Sequence, residues 1–419
     1  MEKEINILIK KIKKGVKLDY KELENVFSGY LSGEVNDQLM TKVLKEICRC
    51  ELCEENIFDL TDIFIKSGDT FSVNEDFIDK HSTGGVGDKT TLIVLPIWAS
   101  LGVKISKMSG RGLGYTGGTI DKLESVGVKT DLTEEEFYDN IEKTGMVISS
   151  QTSTLCPMDK KVYALRDVTG TTQSISLIAV SIMSKKIASG AKKILIDIKV
   201  GNGALVPNEY YARKLADIMI KIGKKYDREV VCFLTDMNEP LGSNIGNKIE
   251  VLEVIDILSG LKKNNLYELC VRMASQMLSM AKGYEESKSL ELVHEAISSH
   301  KALDKFKEYV ERNNGDLNIM LPDCIELKAK KDGYIKSINS RDIGINSMLL
   351  GAGRKEKTDK IDFDAGIILE KEKGSVVKKG DVLARLYGKN TINIKSLYKS
   401  FKIGKASPVN YDILIDIVK

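Results

Sequence analysis

Neither charge sign prevails in this 419-residue chain: 63 Lys and Arg face 60 Asp and Glu, for a net charge of +3. A protein whose main task is to coat nucleic acid needs a basic face. The near-balance argues against that class, and any basic site must be local. Long apolar runs are missing too. The longest, Thr91 to Val103, falls far short of the ~20 residues a membrane-spanning helix requires. The opening residues, MEKEINILIKKIKKG, alternate charged with apolar side chains, unlike the apolar stretch of a secretory leader. A soluble, cytoplasmic protein is expected, with neither membrane nor nucleic acid as a partner. Cysteine lacks any framework pattern: seven residues, at 48, 50, 53, 156, 232, 270 and 324, read as reduced thiols. Cys48, Cys50 and Cys53 cluster, but no second pair or nearby His completes a four-ligand metal set, so buried helix residues are expected there. Histidine is rarer still, and only His81 precedes residue 294.

What is present is ordinary globular material, 42% hydrophobic and 29% charged, in a chain too long for one small core. Two or three domains are expected. The first 66 residues read as helices. Ile5, Leu8, Ile9 and Ile12 share one helical face, with Gly15 as a stop. Asp19 and Glu22 form a capping box for a second helix carrying Leu23, Val26, Phe27 and Tyr30. Leu39, Met40, Val43, Leu44 and Ile47 mark a third, and Ile57, Leu60, Ile63 and Phe64 a fourth. From about residue 80 the pattern turns to Gly-rich loops, short apolar strands and intervening helices. The strand ILIDIKV (194–200), a helix over about 208–224 and the strand VVCFL (230–234) make a parallel βαβ unit. Residues 160–189 interrupt with helical sequence, and beyond about 326 the chain becomes strand-like with Gly turns.

Two loops carry the chemistry. Lys80-His81-Ser82-Thr83-Gly84-Gly85-Val86-Gly87-Asp88 precedes a helix expected over 90–101. Its glycines let the backbone approach an anion closely, and the helix start adds partial positive charge. Lys80 and Ser82 add an ammonium and a hydroxyl. A tight structural turn is the plain alternative for such a loop alone. The second loop, SGRGLGYTGGT (109–119), shifts the balance toward one oxyanion held from two sides. Neither loop is a GxxxxGK(S/T) nucleotide cradle, and the second does not open the βαβ unit a dinucleotide fingerprint needs.

KHSTGGVGD (80–88) together with SGRGLGYTGGTIDKLES (109–125) resembles the signature of the thymidine and pyrimidine-nucleoside phosphorylases. The likeness continues through KKVYALRDVTGTT (160–172), SIMSKKIASG (181–190), DIKVGNGA (197–204), TDMNEPLGSNIGN (235–247) and GAGR (351–354), nearly the whole chain. The resemblance implies phosphate held by Lys80, Ser82, Thr91, Lys107, Ser109 and Thr119, and a pyrimidine held by Arg166, Ser181 and Lys185. Ser181 and Lys185, four apart, share a helix face, and Arg and Lys donors suit the carbonyls of a pyrimidine. His81 is implied near the base O2, where a neutral-to-cationic imidazole donates a hydrogen bond or proton. A potassium-like cation is implied as well, held by backbone oxygens of Gly87, Lys89, Leu241 and Asn244 and the Glu253 carboxylate, an all-oxygen set for a hard cation. Three residues depart from the family pattern: Tyr115 stands where His is usual, Ser176 for Pro, and Met158 for Ala. Tyr115 lies nearest the chemistry.

The expected architecture is an α/β domain with a mixed sheet (70–159 with 190–325), a helical domain (1–66 with 160–189) and a C-terminal β-rich lobe (326–419). The active site would be an interdomain cleft that closes over its substrates. The implied reaction is reversible phosphorolysis of uridine, thymidine or deoxyuridine to free base and pentose 1-phosphate, by a homodimer. Lys107 in KMSGRG and Gly170 in RDVTGT favour a branch accepting both nucleosides over a strict thymidine phosphorylase. The rivals are a phosphoribosyltransferase of the related anthranilate type and a non-catalytic nucleoside-binding homologue.

Overall fold

A computed structural model describes residues 2–70, 77–112, 114–150, 154–356, 358–408 and 412–419; Leu113 of the second Gly-rich loop lies outside them. The opening helices are α1 (Glu2–Lys13), α2 (Tyr20–Ser32), α3 (Asp37–Cys50) and α4 (Glu54–Lys66). They form where apolar residues recur at three- and four-residue spacing, so that one stripe of each can leave water. Ile5, Leu8 and Ile12 are buried along α1. The Asp19–Glu22 capping box is present, with the Asp19 N–H donating to Glu22 Oε2 at 3.1 Å. Cys50 and Cys53, expected to be buried, are exposed, and Cys48 is half-buried. Cys48 and Cys50 lie in the last turn of α3, beyond its last buried residue, Ile47, and Cys53 sits at the N-cap of α4.

The central region runs β1 (Ile78–Ser82), α5 (Thr90–Ser100), β2 (Ile105–Ser109), α6 (Thr119–Glu124), α7 (Glu134–Thr144) and β3 (Met146–Ser150). It then detours through α8 (Pro157–Thr169) and α9 (Ile175–Ala188), which pack on the opening helices. It resumes with β4 (Lys193–Val200), α10 (Glu209–Lys225), β5 (Glu229–Asp236), β6 (Asn244–Gly246), α11 (Lys248–Leu258), α12 (Asn265–Lys282), α13 (Glu286–Ser298) and α14 (Lys301–Arg312). The C-terminal region holds β7 (Ile325–Lys328), β8 (Gly333–Ile338), α15 (Ser340–Ser347), β9 (Gly366–Leu369), β10 (Val376–Val377), β11 (Val382–Tyr387), α16 (Ile394–Lys399), β12 (Phe401–Gly404) and β13 (Leu414–Val418).

The main sheet has six strands in the order β13-β5-β4-β1-β2-β3. All neighbours are parallel except β13, which runs antiparallel to β5, so the sheet is mixed. Ile194, Ile196 and Ile198 of β4 face α10 and the opening helices, while Leu195 faces the core built on α5 and α11 to α14. The period-two alternation of a strand thus supplies both cores from one segment. Two small antiparallel sheets, β10-β8-β12 and β6-β9-β11-β7, form the C-terminal region. Its borders interlock with the main body: β6 is lent from before α11, and β13 returns to the main sheet. Neither exchange was visible in the sequence, because strands of three and five residues carry too little periodicity.

The chain passes between the helices and the sheet at a tight crossing. The Asp69 N–H donates to the Thr154 carbonyl at 3.0 Å. A Cβ on Gly68 would sit 2.1 Å from that same oxygen and 2.4 Å from Pro157 Cδ, so only glycine fits. Because α8 and α9 form the crossover from β3 to β4, they lie over the carboxyl ends of the strands, where parallel sheets bind ligands.

Candidate active site between the sheet and the helices

A cavity of about 670 Å³ opens between the ends of β1 and β2 on one side and α8 and α9 on the other. Its sheet wall carries His81, Ser82, Thr91, Lys107, Ser109 and Thr119, and its helical wall Asp159, Arg166, Ser181, Lys185 and Lys186. The residues expected to hold phosphate and base therefore share one cavity, with one qualification. Lys80 is fully buried behind the sheet wall, where its ammonium donates to Thr90 Oγ1 and lies 3.6 Å from Asp197 Oδ2. Asp197 also pairs with buried Lys199 at 2.7 Å. In this geometry Lys80 lends charge to the loop rather than a direct contact, because Asp197 and Thr90 draw it inward.

The loop after β1 is held from within. Ser82 Oγ donates to Asp88 Oδ2 and accepts the Gly84 N–H at 3.2 Å, while Thr90 donates to Asp88 Oδ1 at 2.7 Å. Burial alone would raise the Asp88 pKa, but Lys80 and Lys199, with the Ser82 and Thr90 hydroxyls, hold it far below the usual carboxylate range. Asp88 is thus a fixed anion that orders the loop, and α5 starts just beyond it with Thr91 facing the cavity.

Positive charge is crowded here. Lys107 is buried, 4.0 Å from Asp79 Oδ1, while Lys186 of α9 reaches across to Asp79 Oδ2 at 2.5 Å. Burial, then the neighbouring Lys186, push the Lys107 pKa well down against the pull of Asp79. Burial followed by Lys107, Lys186, Lys185 and Lys80 push His81 well below an ordinary imidazole. Without a ligand, burial and these lysines favour the neutral imidazole, the form that can donate a hydrogen bond through its one ring N–H. An anion placed among these groups would relieve their mutual repulsion.

The helical wall is arranged differently. The Arg166 guanidinium donates to the carbonyls of Thr171 (3.2 Å), Leu177 (3.1 Å) and Thr172 (3.0 Å), which fixes the turn between α8 and α9. With five N–H groups, it keeps donors for a ligand. Lys185 Nζ donates to Ser181 Oγ at 3.0 Å and pairs with the buried Asp159 carboxylate. Asp159, Asp79 and Lys186 escaped sequence reasoning, since a lone charge on a helix or strand reads as solvated; the nearest signal was that all three fall in or beside the quoted motifs.

The three family departures have structural explanations. Ser176 donates to Glu51 Oε2 at 2.6 Å, and Met158 is buried in the helical core. Tyr115, expected nearest the chemistry, does not line the cavity; its ring packs instead toward the Arg341 guanidinium, 5.9 Å from the ring centre.

The expected cation cage is corrected by the structure. Leu241, Asn244 and Glu253 do converge, but on the ammonium of Lys89, which donates to the Leu241 carbonyl (3.0 Å), the Asn244 carbonyl (3.0 Å) and Glu253 Oε2 (2.7 Å). The Lys89 carbonyl itself accepts the Leu92 N–H at 3.0 Å. Gly87 (φ 76) packs against this point, a Cβ there falling 2.5 Å from the Leu241 oxygen. Burial would raise the Glu253 pKa, yet Lys89 and Lys262 hold it at about 2. With both lysines already on one carboxylate, the donor set does not fit a potassium ion.

Comparison with known proteins places this geometry. A family model described as "Glycosyl transferase family, a/b domain" matches residues 74–303, which defines the class: a transferase acting on glycosidic bonds. A second, "Pyrimidine nucleoside phosphorylase C-terminal domain", matches residues 334–404. A pyrimidine-nucleoside phosphorylase of Staphylococcus haemolyticus is 41% identical over 94% of this chain and 93% of its own. Those of Geobacillus stearothermophilus and Bacillus subtilis are each 42% identical, covering 97% and 91% of this chain and 98% and 91% of theirs. The chain belongs to the pyrimidine-nucleoside phosphorylase family. Among solved structures it resembles the anthranilate phosphoribosyltransferase of Thermus thermophilus (TM-score 0.59, 16% identity, 73% of this chain and 99% of that one). The Saccharomyces cerevisiae enzyme in complex with PRPP and Mg is similar (TM-score 0.59, 14% identity, 75% and 99%). At these identities the likeness is one of fold.

Proposed function

We propose that this protein catalyses the reversible phosphorolysis of uridine, thymidine and deoxyuridine to free pyrimidine and pentose 1-phosphate. The observation that carries the reading is the pair of facing walls: hydroxyls and lysine charge at the strand ends, and Arg166, Ser181 and Lys185 opposite. Phosphate sits on Ser82, Thr91, Lys107, Ser109 and Thr119, with Lys80 adding field from behind. One oxygen of hydrogen phosphate attacks C1′ as the bond from C1′ to the base nitrogen lengthens; that bond's electron pair leaves with the base, and the proton lost by the hydrogen phosphate ends on the released pyrimidine. Arg166 and Lys185 oppose the charge developing on the base, His81 donates a hydrogen bond to it, and Asp159 keeps Lys185 in position. Closing the walls brings the reactants together and expels water.

A cytoplasmic homodimer fits the near-balanced charge and the apolar Ile7 and Val16 left exposed at the N-terminal helices. No helix among the described residues is long and apolar enough to cross a membrane.

The test is base release from uridine, thymidine and cytidine with and without phosphate, with the sugar product followed by phosphorus NMR. Release from the first two, strictly dependent on phosphate and yielding the 1-phosphate, is expected; cytidine is cleaved poorly because its exocyclic amine cannot accept from Lys185 or Arg166. Activity confined to thymidine would narrow the reading to a strict thymidine phosphorylase. No release from any nucleoside would overturn it.

A further inference from the structure

The clearest buried charge cluster outside the cavity is the one around Lys89. Lys89 and Glu253 are both fully buried, and Lys89 immediately precedes α5, whose first turn carries Thr91 into the sheet wall. Its ammonium spans to the 241–244 segment and to α11. That segment continues into β6, which pairs with β9 of the C-terminal region. Glu253 is satisfied on every side: it accepts from Lys89, from Lys262 at 2.8 Å, from the Ser243 and Asn244 N–H groups, and from Asn264 Nδ2 at 3.0 Å. One positive charge ringed by two carbonyls and a carboxylate is what a monovalent cation site provides, and here the charge is covalently attached.

We propose that the Lys89 ammonium is a built-in replacement for a monovalent metal ion, fixing the phosphate loop to α11 and the C-terminal region so that the protein works without potassium. Lys89 is a positioning residue: it touches no reacting atom, and it acts through the start of α5. A tethered ammonium pays no binding entropy and cannot be diluted away, so the loop's order is independent of the ionic composition around it. A buried salt bridge without this role would behave differently when its cation is removed and another offered. Emptying the position leaves an oxygen cage that a free ion of similar size can enter, whereas filling it with an uncharged chain does not.

The experiment compares the whole protein with Lys89→Ala and Lys89→Met in potassium, sodium and tetramethylammonium chloride at equal ionic strength. Thermal midpoint is read first, because it needs no substrate. The wild type is expected to show the same midpoint in all three salts. Lys89→Ala should melt lower in tetramethylammonium and recover most of the loss in potassium, while Lys89→Met should melt lower and not recover. The phosphate KM, resting on the proposed phosphorolysis, should follow the same pattern, with a severalfold rise in Lys89→Ala that potassium reverses and little change in kcat. Anomalous scattering from rubidium-soaked wild-type crystals should show no ion among Leu241, Asn244 and Glu253. Potassium-specific stabilisation of the wild type, a rubidium peak at that point, or rescue of Lys89→Met as complete as that of Lys89→Ala would overturn the proposal. If the proteins prove inactive on nucleosides, the melting and scattering results still decide the role of Lys89, separately from the reaction.

Discussion

The two walls of the cavity solve opposite problems. The sheet wall accumulates like charge: Lys80, Lys107 and Lys199 are all buried within it, steadied by Asp79, Asp88 and Asp197. Burial and the remaining positive field together lower the pKa values of Lys107 and His81 at the cavity. The helical wall holds single side chains in fixed directions, Arg166 by backbone carbonyls and Lys185 by one carboxylate. On the proposed reading, one side supplies electrostatic potential for phosphate and the other supplies orientation for a flat, weakly charged ring. Lys186 joins them, sitting on α9 and pairing with Asp79 on β1. The two functions can therefore be damaged separately.

The largest separation is expected from Lys185→Met. Loss of a transition-state contact of ~3 kcal/mol lowers turnover by roughly a hundredfold, while phosphate affinity measured by calorimetry on the free protein stays unchanged. The variant also leaves Asp159 buried without its partner, which destabilises the fold. Adding Asp159→Asn should restore the melting temperature but not the rate. A collapse of phosphate affinity in Lys185→Met would remove the distinction between the walls.

Lys107→Met is the mirror experiment. Loss of a charge-assisted contact of ~1.5–3 kcal/mol weakens phosphate by about ten- to a hundredfold, and kcat at saturating phosphate falls much less. The same wall sets a pH signature. Because burial, and then repulsion from neighbouring lysines, hold Lys107 and His81 below their ordinary pKa values, a bound anion raises both. Between the free and bound pKa values, binding therefore takes up protons, and affinity falls as pH rises through the bound values. Calorimetry in buffers of different ionisation heat measures that uptake; release of protons would contradict the electrostatic picture.

Gly68→Ala tests the passage between the walls. A Cβ 2.1 Å from the Thr154 oxygen forces the backbone apart, an overpacking cost of about 1–3 kcal/mol. A lower melting temperature is expected, with a larger loss of kcat than of phosphate affinity because the relation between the walls shifts. The smallest effect should come from Tyr115→His, which belongs to neither wall; nucleoside preference and kcat/KM should change by no more than about twofold, a few tenths of a kcal/mol. A marked switch in preference would draw Tyr115 into the site.

Much of this was legible in the residues. Apolar spacing located α1 to α4, and the buried runs 194–200 and 230–234 with the helix between them appear as β4, α10 and β5 within a residue or two. Local periodicity is a property of the segment itself and survives without tertiary context. What could not be read is what depends on partners distant in sequence. Asp159 looks like any acid in a helix until Lys185, 26 positions on, is seen against it. Lys89 was assigned through its carbonyl, because nothing in KTTL tells which way a side chain turns, and its partners lie 152 to 164 positions away. His81 was left open between neutral and cationic for the same reason: burial in the folded protein, and then lysines brought in from β2 and α9, lower its pKa.

The return of β13 to the main sheet bears on how the protein is made. β5 is complete when Asp236 has been synthesised, but its outer neighbour begins at Leu414, about 180 residues later. At ~5–20 residues per second, translation leaves that edge uncovered for on the order of ten seconds or more. An uncovered strand presents unpaired N–H and C=O groups to any other chain. Once β13 arrives it is fastened by ion pairs from Arg213 to Asp416 at 2.5 Å and from Arg272 to Asp412 at 2.8 Å. The interval in which nascent copies are most open to misassembly is thus set by the ribosome's pace over the C-terminal region, and a slow codon stretch there would lengthen it without altering a single residue of the finished protein.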